Sequence, residues 1–293
     1  MKKQIIFKGV ATALVTPFRS GEIDYPTLYR LIDAQIDAGI GALVLGGTTG
    51  EAATLSVEER YALYSNCHEH IRGRCKIIFG TGTNDTRCAI AHTKEAGAIG
   101  CDGVLVVTPY YNKGTEEGVV RHYLEIAEAS PVPVLLYNVP SRTGVNLTVR
   151  QLERLSEHER IVGIKEAGDS VDRLVEIASL GDRLPLYSGN DSQIYATLSL
   201  GGLGVISVLS NLLPKETISV CELFFKGDIK ASRNRQFELL PLIKALFLET
   251  NPSPVKYAMS LCGACASEAR LPLAEPSEAT KAVIRGAVSR YKL

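Results

Sequence analysis

Two apolar patterns alternate along the chain. Short runs dense in Val, Ile and Leu lie at 10–16, 42–46, 76–80, 103–108, 134–138, 161–166, 186–189 and 204–208. Between them, apolar residues recur at three- and four-residue spacing over 25–38, 57–72, 86–96, 116–129, 149–155, 170–180 and 191–200. The short runs predict strands buried on both faces, as in a parallel sheet covered by helices, and the longer stretches predict those helices. Asp24 stands at the start of one helix, and Ser56 with Glu59 forms a capping box at the start of another.

Eight strands alternating evenly with helices predict a (β/α)8 barrel, with an open doubly wound sheet as the structural alternative. Beyond 209 the strand signal stops. Helical patterns follow at 214–225, 229–249, 254–261 and 276–291, with Asn251-Pro-Ser-Pro254 as a break between two of them. One helix is needed to complete the barrel, so the division expected is a barrel over 1–225 and a C-terminal helical extension over 226–293. No low-complexity linker separates them, and one folded unit is expected.

A 293-residue chain with 45% hydrophobic residues is large enough for a full core. Its net charge of zero, with no dense basic run, argues against nucleic-acid binding. No apolar run reaches membrane-spanning length, and the N-terminus, interrupted by Lys8 and lacking a small-residue cleavage site, does not read as a signal peptide. Seven scattered cysteines imply free thiols in a reducing cytoplasm. Cys262 and Cys265 have redox or zinc spacing, but no second pair or nearby histidine completes a site.

Chemistry in such a barrel belongs at the C-terminal strand ends. The sixth strand ends in Lys165. Period-two alternation puts Ile161, Gly163 and Lys165 on one face and Val162, Ile164 and Glu166 on the other. The bulky second set suits the helix layer, which turns Lys165 into the barrel above a glycine. There an amine loses hydration, and a neutral amine attacks a ketone to form a Schiff base. The plainer alternative is a strand-end lysine paired with Glu166 or reaching solvent. Tyr137, ending the fifth strand, is placed to move protons beside it, or is a core tyrosine tied to backbone. Thr48 and Thr49 lie in a glycine-flanked loop whose hydroxyls and amides suit a carboxylate; a plain turn is the alternative. Arg142 follows the fifth strand and offers a two-pronged carboxylate contact, or a surface ion pair. The five histidines fall on helices or loops and away from the strand ends, which disfavours a metal-dependent aldolase.

The segments GTTGEAATL, GTGTN, VTPYYNK, YNVPSRTG, GIKEA, SGND, GVISV and NPSPVK occur in this order. With them the chain, from about Gly9 to its C-terminus, resembles the dihydrodipicolinate synthase family of pyruvate-dependent class I aldolases. The resemblance implies a Schiff base between Lys165 and pyruvate. It implies a proton relay of Tyr137, Thr48 and Tyr111, with Tyr111 reaching in from the neighbouring subunit of a tight dimer. Thr49, the backbone at Ile206 and Gly189 would contact substrate, and Arg142 would receive the carboxylate of aspartate semialdehyde. A cytoplasmic homotetramer built from tight dimers, acting without cofactor in lysine and diaminopimelate biosynthesis, is expected. Lys165 carries only the superfamily. Arg142 favours the synthase over related lyases acting on N-acetylneuraminate or 2-keto-3-deoxy acids. A non-catalytic keto-acid sensor is a further alternative, against which the full set of Lys, Tyr and Thr argues. Lysine-inhibited members carry a histidine and a glutamate where this chain has Val57 and Cys88, although Asn84 and Tyr110 match. Weak or absent lysine inhibition is therefore expected.

Overall fold

The structure, a computed structural model, describes residues 3–291. Eight parallel strands close into a barrel: β1 (Gly9–Ala13), β2 (Ala42–Leu45), β3 (Lys76–Gly80), β4 (Gly103–Val107), β5 (Val134–Asn138), β6 (Ile161–Glu166), β7 (Leu186–Ser188) and β8 (Gly204–Ser207). Each pairs with its sequence neighbours, and β1 closes on β8 through Gly9 opposite Gly204 and Ala11 opposite Ile206. Gly204 is required at that seam, because a Cβ there would lie 1.7 Å from the Gly9 carbonyl oxygen.

The helices between strands are α1 (Tyr25–Asp37), α2 (Val57–Ile71), α3 (Thr86–Ile99), α4 (Glu116–Ala129), α5 (Val149–Ser156), α6 (Val171–Ala178) and α7 (Ile194–Ser199). Helix α8 (Pro214–Phe225) follows β8, and α9 (Ile229–Leu246), α10 (Ser253–Leu261) and α11 (Glu278–Val288) follow it. Asp24 caps α1 by accepting from Thr27 N at 3.1 Å, and the Ser56–Glu59 capping box forms on α2. None of the described helices is long and apolar enough to cross a membrane.

Several strands are shorter than the apolar runs, because their last residues bond to loops. Beyond β1, Val15 N donates to Asn211 Oδ1 at 3.1 Å and Thr16 Oγ1 to Gly50 O at 2.8 Å. The helix expected at 191–200 starts with a separate turn, Asp191–Gln193, since the Asp191 carboxylate accepts from Val208 and Leu209 rather than capping its own helix. A small antiparallel ribbon, Phe18–Arg19 with Glu22–Ile23, is too short to give a sequence period.

Two apolar layers form. The outer one lies between strands and helices and extends through Leu239 and Met259 to Ile284 and Val288. The inner one contains alternate strand residues, Ala11, Val44, Ile78, Leu105, Leu135, Tyr137, Tyr187 and Ile206, with Ile6 and Phe7 from the N-terminal segment. The Phe7 ring stacks on Tyr187 at 4.4 Å, and Tyr187 Oη donates to Phe7 O at 2.6 Å.

One expectation on β6 is corrected. The register slips after Val134 opposite Ile161, so that Leu135 faces Gly163. This bulge leaves Ile161 in the outer layer and puts Val162 in the inner one, opposite to simple alternation. From Gly163 onward the alternation holds, and Lys165 points inward beside Tyr137.

His122, on α4, is buried with Nδ1 2.9 Å from Thr86 Oγ1, and burial pushes its pKa down from 6.5 to about 4 against the opposing pull of Glu125 and Asp85. The unfolded chain accepts this proton near 6.5 while the folded chain stays neutral to about 4, so stability is full above 6.5 and falls as pH drops through that window. Lowering the pH from 7 to 5 should reduce unfolding free energy, with about 2 kcal/mol of the loss absent from His122→Gln when denaturant melts are compared at both pH values.

Candidate active site

Lys165 sits at the C-terminal end of β6 and is 5% exposed. In register it lies between Tyr137 on β5 and Tyr187 on β7. Its Nζ is 4.2 Å from the centroid of the Tyr137 ring. Gly163 below it leaves no spare room, as a Cβ there would come within 2.8 Å of Pro185 O and 3.1 Å of Leu135 Cδ2. The small residue is needed for the neighbouring strand backbone and leucine to close in beneath the lysine.

Glu166 does not pair with Lys165. It faces the helix layer, fully buried, where both its oxygens accept from Asn138 Nδ2 at 3.0 and 2.9 Å and Oε1 accepts from Gly168 N at 2.7 Å. Arg173 Nε lies 3.6 Å away. Burial raises the Glu166 carboxyl despite these partners. Asn138 also donates to Asn146 Oδ1 at 2.8 Å and accepts from Leu147 N at 3.1 Å. Tyr137 inside and Asn138 outside thus give one strand end two functions: a phenol beside the amine, and an anchor for the segment after Arg142.

A cavity of about 320 Å³ opens at this end of the barrel. Thr48, Tyr137 and Arg142 line it, together with Tyr110, Val139 and Asn251. Lys165 is not itself on the wall; its Nζ lies over the ring of Tyr137, which is. Thr49 is buried and is linked to the wall by Asn251, whose Nδ2 donates to Thr49 Oγ1 at 3.0 Å. Arg142 stands on a single helical turn, Pro140–Thr143, and donates to Asn251 O at 3.0 Å. Gly189 and Ile206 are off the cavity wall, on the β7–β8 side of Lys165. Gly189 N donates to Glu166 O at 2.6 Å, and Ile206 is packed in the inner layer. Tyr111 is not brought to the site within one chain: it is 88% exposed, in a left-handed conformation at φ 69°.

The threonine loop is fixed from outside the barrel. Glu51, in the left-handed region at φ 55°, pairs with Lys256 of α10, both side chains being fully buried. Glu51 Oε2 accepts from Arg270 N at 2.9 Å, and Lys256 also donates to Glu268 O at 2.8 Å. Burial pushes the Lys256 amine down, and Glu51 opposes this. Arg60 donates to Ala52 O at 2.8 Å and to Gly80 O at 3.2 Å. Arg270 also binds Glu59, whose carboxyl it holds down at about 2.

Sequence reasoning assigned no role to Asn251, Glu51, Lys256 or Asp191. Their only signal was membership of the NPSPVK, GTTGE and SGND segments. Asp191 is 1% exposed, and burial raises its carboxyl against the pull of Ser207, the backbone amides of Leu209 and Val208, and the charge of Lys165. Among the described residues no group of three His, Cys, Asp or Glu side chains is arranged to hold a metal ion.

A closed barrel with an enclosed amine at one strand end, a phenol under it, and hydroxyls and a guanidinium around the mouth is the arrangement of a class I, amine-nucleophile lyase. The sequence model of the Dihydrodipicolinate synthetase family matches residues 6–290, and the chain belongs to this family. It is 46% identical over 286 residues to 4-hydroxy-tetrahydrodipicolinate synthase of Thermotoga neapolitana, covering 96% of this chain and 97% of that one. With the synthase of Clostridium novyi it shares 43% over 287 residues, 98% and 97% of the two chains. The crystal structure of dihydrodipicolinate synthase from Thermotoga maritima superposes with a TM-score of 0.95 at 42% identity, covering 98% and 99%. That of the Acinetobacter baumannii enzyme complexed with pyruvate superposes at 0.94 and 40%, covering 97% and 98%.

Removing one partner of the Glu51–Lys256 pair strands a buried charge. Lys256→Met should lower unfolding free energy by about 3–5 kcal/mol in denaturant melts, and adding Glu51→Gln to it should recover part of that loss.

Proposed function

We propose that the chain condenses pyruvate with L-aspartate 4-semialdehyde to 4-hydroxy-tetrahydrodipicolinate, in lysine and diaminopimelate biosynthesis. The observation that carries this reading is the enclosed Lys165 amine over the Tyr137 ring, next to a cavity edged by Thr48 and Arg142, in a chain of this family.

Lys165 Nζ attacks the pyruvate ketone, and water leaves as the imine forms, with Tyr137 and Thr48 passing protons. The protonated imine draws electrons from the adjacent methyl, which loses a proton to give the enamine. The enamine carbon adds to the aldehyde of the second substrate, whose oxygen takes up a proton. The amine of that substrate then attacks the imine carbon, closing the ring and freeing Lys165. Thr49 and the backbone at Ile206 hold the pyruvate part, and Arg142 receives the carboxylate of the aldehyde. The chemistry needs no cofactor.

A tight dimer, paired into a tetramer, completes the relay in this reading. Its support is Tyr111, turned outward beside Tyr110 at the edge of the cavity, where a second copy would take it. The seven free cysteines support a cytoplasmic setting.

Borohydride reduction with pyruvate should add the mass of the reduced adduct at Lys165, and Lys165→Ala should show none; absence of the adduct in the unaltered protein overturns the reading. Rates with aspartate semialdehyde should exceed those with N-acetylneuraminate or 2-keto-3-deoxy acids. With Val57 and Cys88 in place of a histidine and a carboxylate, millimolar lysine should leave initial rates nearly unchanged, and strong inhibition would show that the amine finds another partner.

A further inference from the structure

Asn251 lies between α9 and α10, outside the eight β/α units, yet is 5% exposed and lines the cavity at the strand ends. It makes two contacts of different kinds. Its side-chain amide donates to Thr49 Oγ1 at 3.0 Å, across 202 residues of sequence. Its backbone carbonyl accepts from Arg142 at 3.0 Å. One residue of the C-terminal segment therefore touches both groups that the proposed function gives to substrate carboxylates.

A threonine hydroxyl has one hydrogen and two lone pairs. Receiving the amide hydrogen occupies a lone pair and leaves the hydroxyl hydrogen for another acceptor. Among the described residues no protein group takes that hydrogen. We infer that Asn251 is a positioning residue that sets Thr49 as a hydrogen-bond donor toward the pyruvate carboxylate, while its carbonyl fixes the guanidinium of Arg142 for the second carboxylate. The two jobs are separable, because only the first uses the side chain. Lys256, five residues further on, supports the same segment by its buried pair with Glu51, so loop and segment are tied at two points.

The inference rests on the proposed role of Thr49. Asn251→Asp keeps the shape but replaces the donor by an acceptor, which would take the Thr49 hydrogen and set a negative charge near an anion site. The KM for pyruvate should rise roughly tenfold, as for loss of a charge-assisted hydrogen bond, with kcat altered much less. The KM for aspartate semialdehyde should stay within about twofold, since the carbonyl held by Arg142 is retained. Thr49→Val should raise the pyruvate KM by itself, and the Thr49→Val/Asn251→Asp double variant should be no worse than the more impaired single one. Where the Asp variant does not accumulate as folded protein, Asn251→Ala adds no charge and is subject to the same comparison.

An unchanged pyruvate KM in the Asn251 variants, or effects that multiply in the double variant, overturns the inference. A drop in kcat with both KM values unchanged also overturns it. The borohydride adduct at Lys165 in the unaltered protein tests the underlying reading separately, so the two failures are distinguishable.

Discussion

The site depends on the register between β5 and β6. Tyr137 opposite Lys165, with Leu135 opposite Gly163, is what sets an amine against a phenol ring inside a closed barrel. Shifting one strand by a single residue would send Lys165 into the helix layer and Glu166 into the barrel, because strand side chains alternate with a period of two. The bulge at Val162 shows that this register is imposed by packing: one residue is absorbed low in the barrel, and the upper half keeps its phase. The closed ladder has no edge along which a strand could slip, and at the seam Gly204 lies too close to the Gly9 carbonyl to carry a Cβ.

Behind that pair the polar groups have separate partners. Facing the helices, Glu166 accepts from Asn138 with the Arg173 guanidinium nearby, and Asn138 holds the segment that follows Arg142. Facing the barrel, Lys165 is left without such ties, beside a cavity. Burial of charge is costly unless it is paired or hydrogen-bonded, so the outer network stabilises the strand ends while the inner amine stays available for reaction. The threonine loop shows the same division. Glu51 is committed to Lys256 and Arg270, while Thr48, three residues earlier, faces the cavity.

Strand-by-strand legibility followed from burial. β3, β5 and β6 match their runs to the residue, since the apolar centre of each strand is buried on both faces and polar residues stand only at its ends. The runs overshot at β1, β2, β4, β7 and β8, where apolar or small residues continue past the end of the strand. The Phe18–Ile23 ribbon left no signal in so few residues. The positions of Lys165, Tyr137, Thr48 and Arg142 at one end of the barrel were legible because each stands at, or a few residues past, the end of a predicted strand. Asn251 and Asp191 were not: an asparagine before a proline reads as a break, and an aspartate at a helix start reads as a cap.

The sequence by itself determined the eight-unit alternation, the inward lysine and the family, because these follow from local period and from motifs in a fixed order. Only the tertiary structure decided which side chains share the cavity. Barrel closure and the return of the C-terminal segment bring Thr49 to Asn251 and Glu51 to Lys256 across some two hundred positions. No local pattern encodes such contacts. They exist because buried hydroxyls, amides and charges must find partners, and the partners within reach are set by the closed fold.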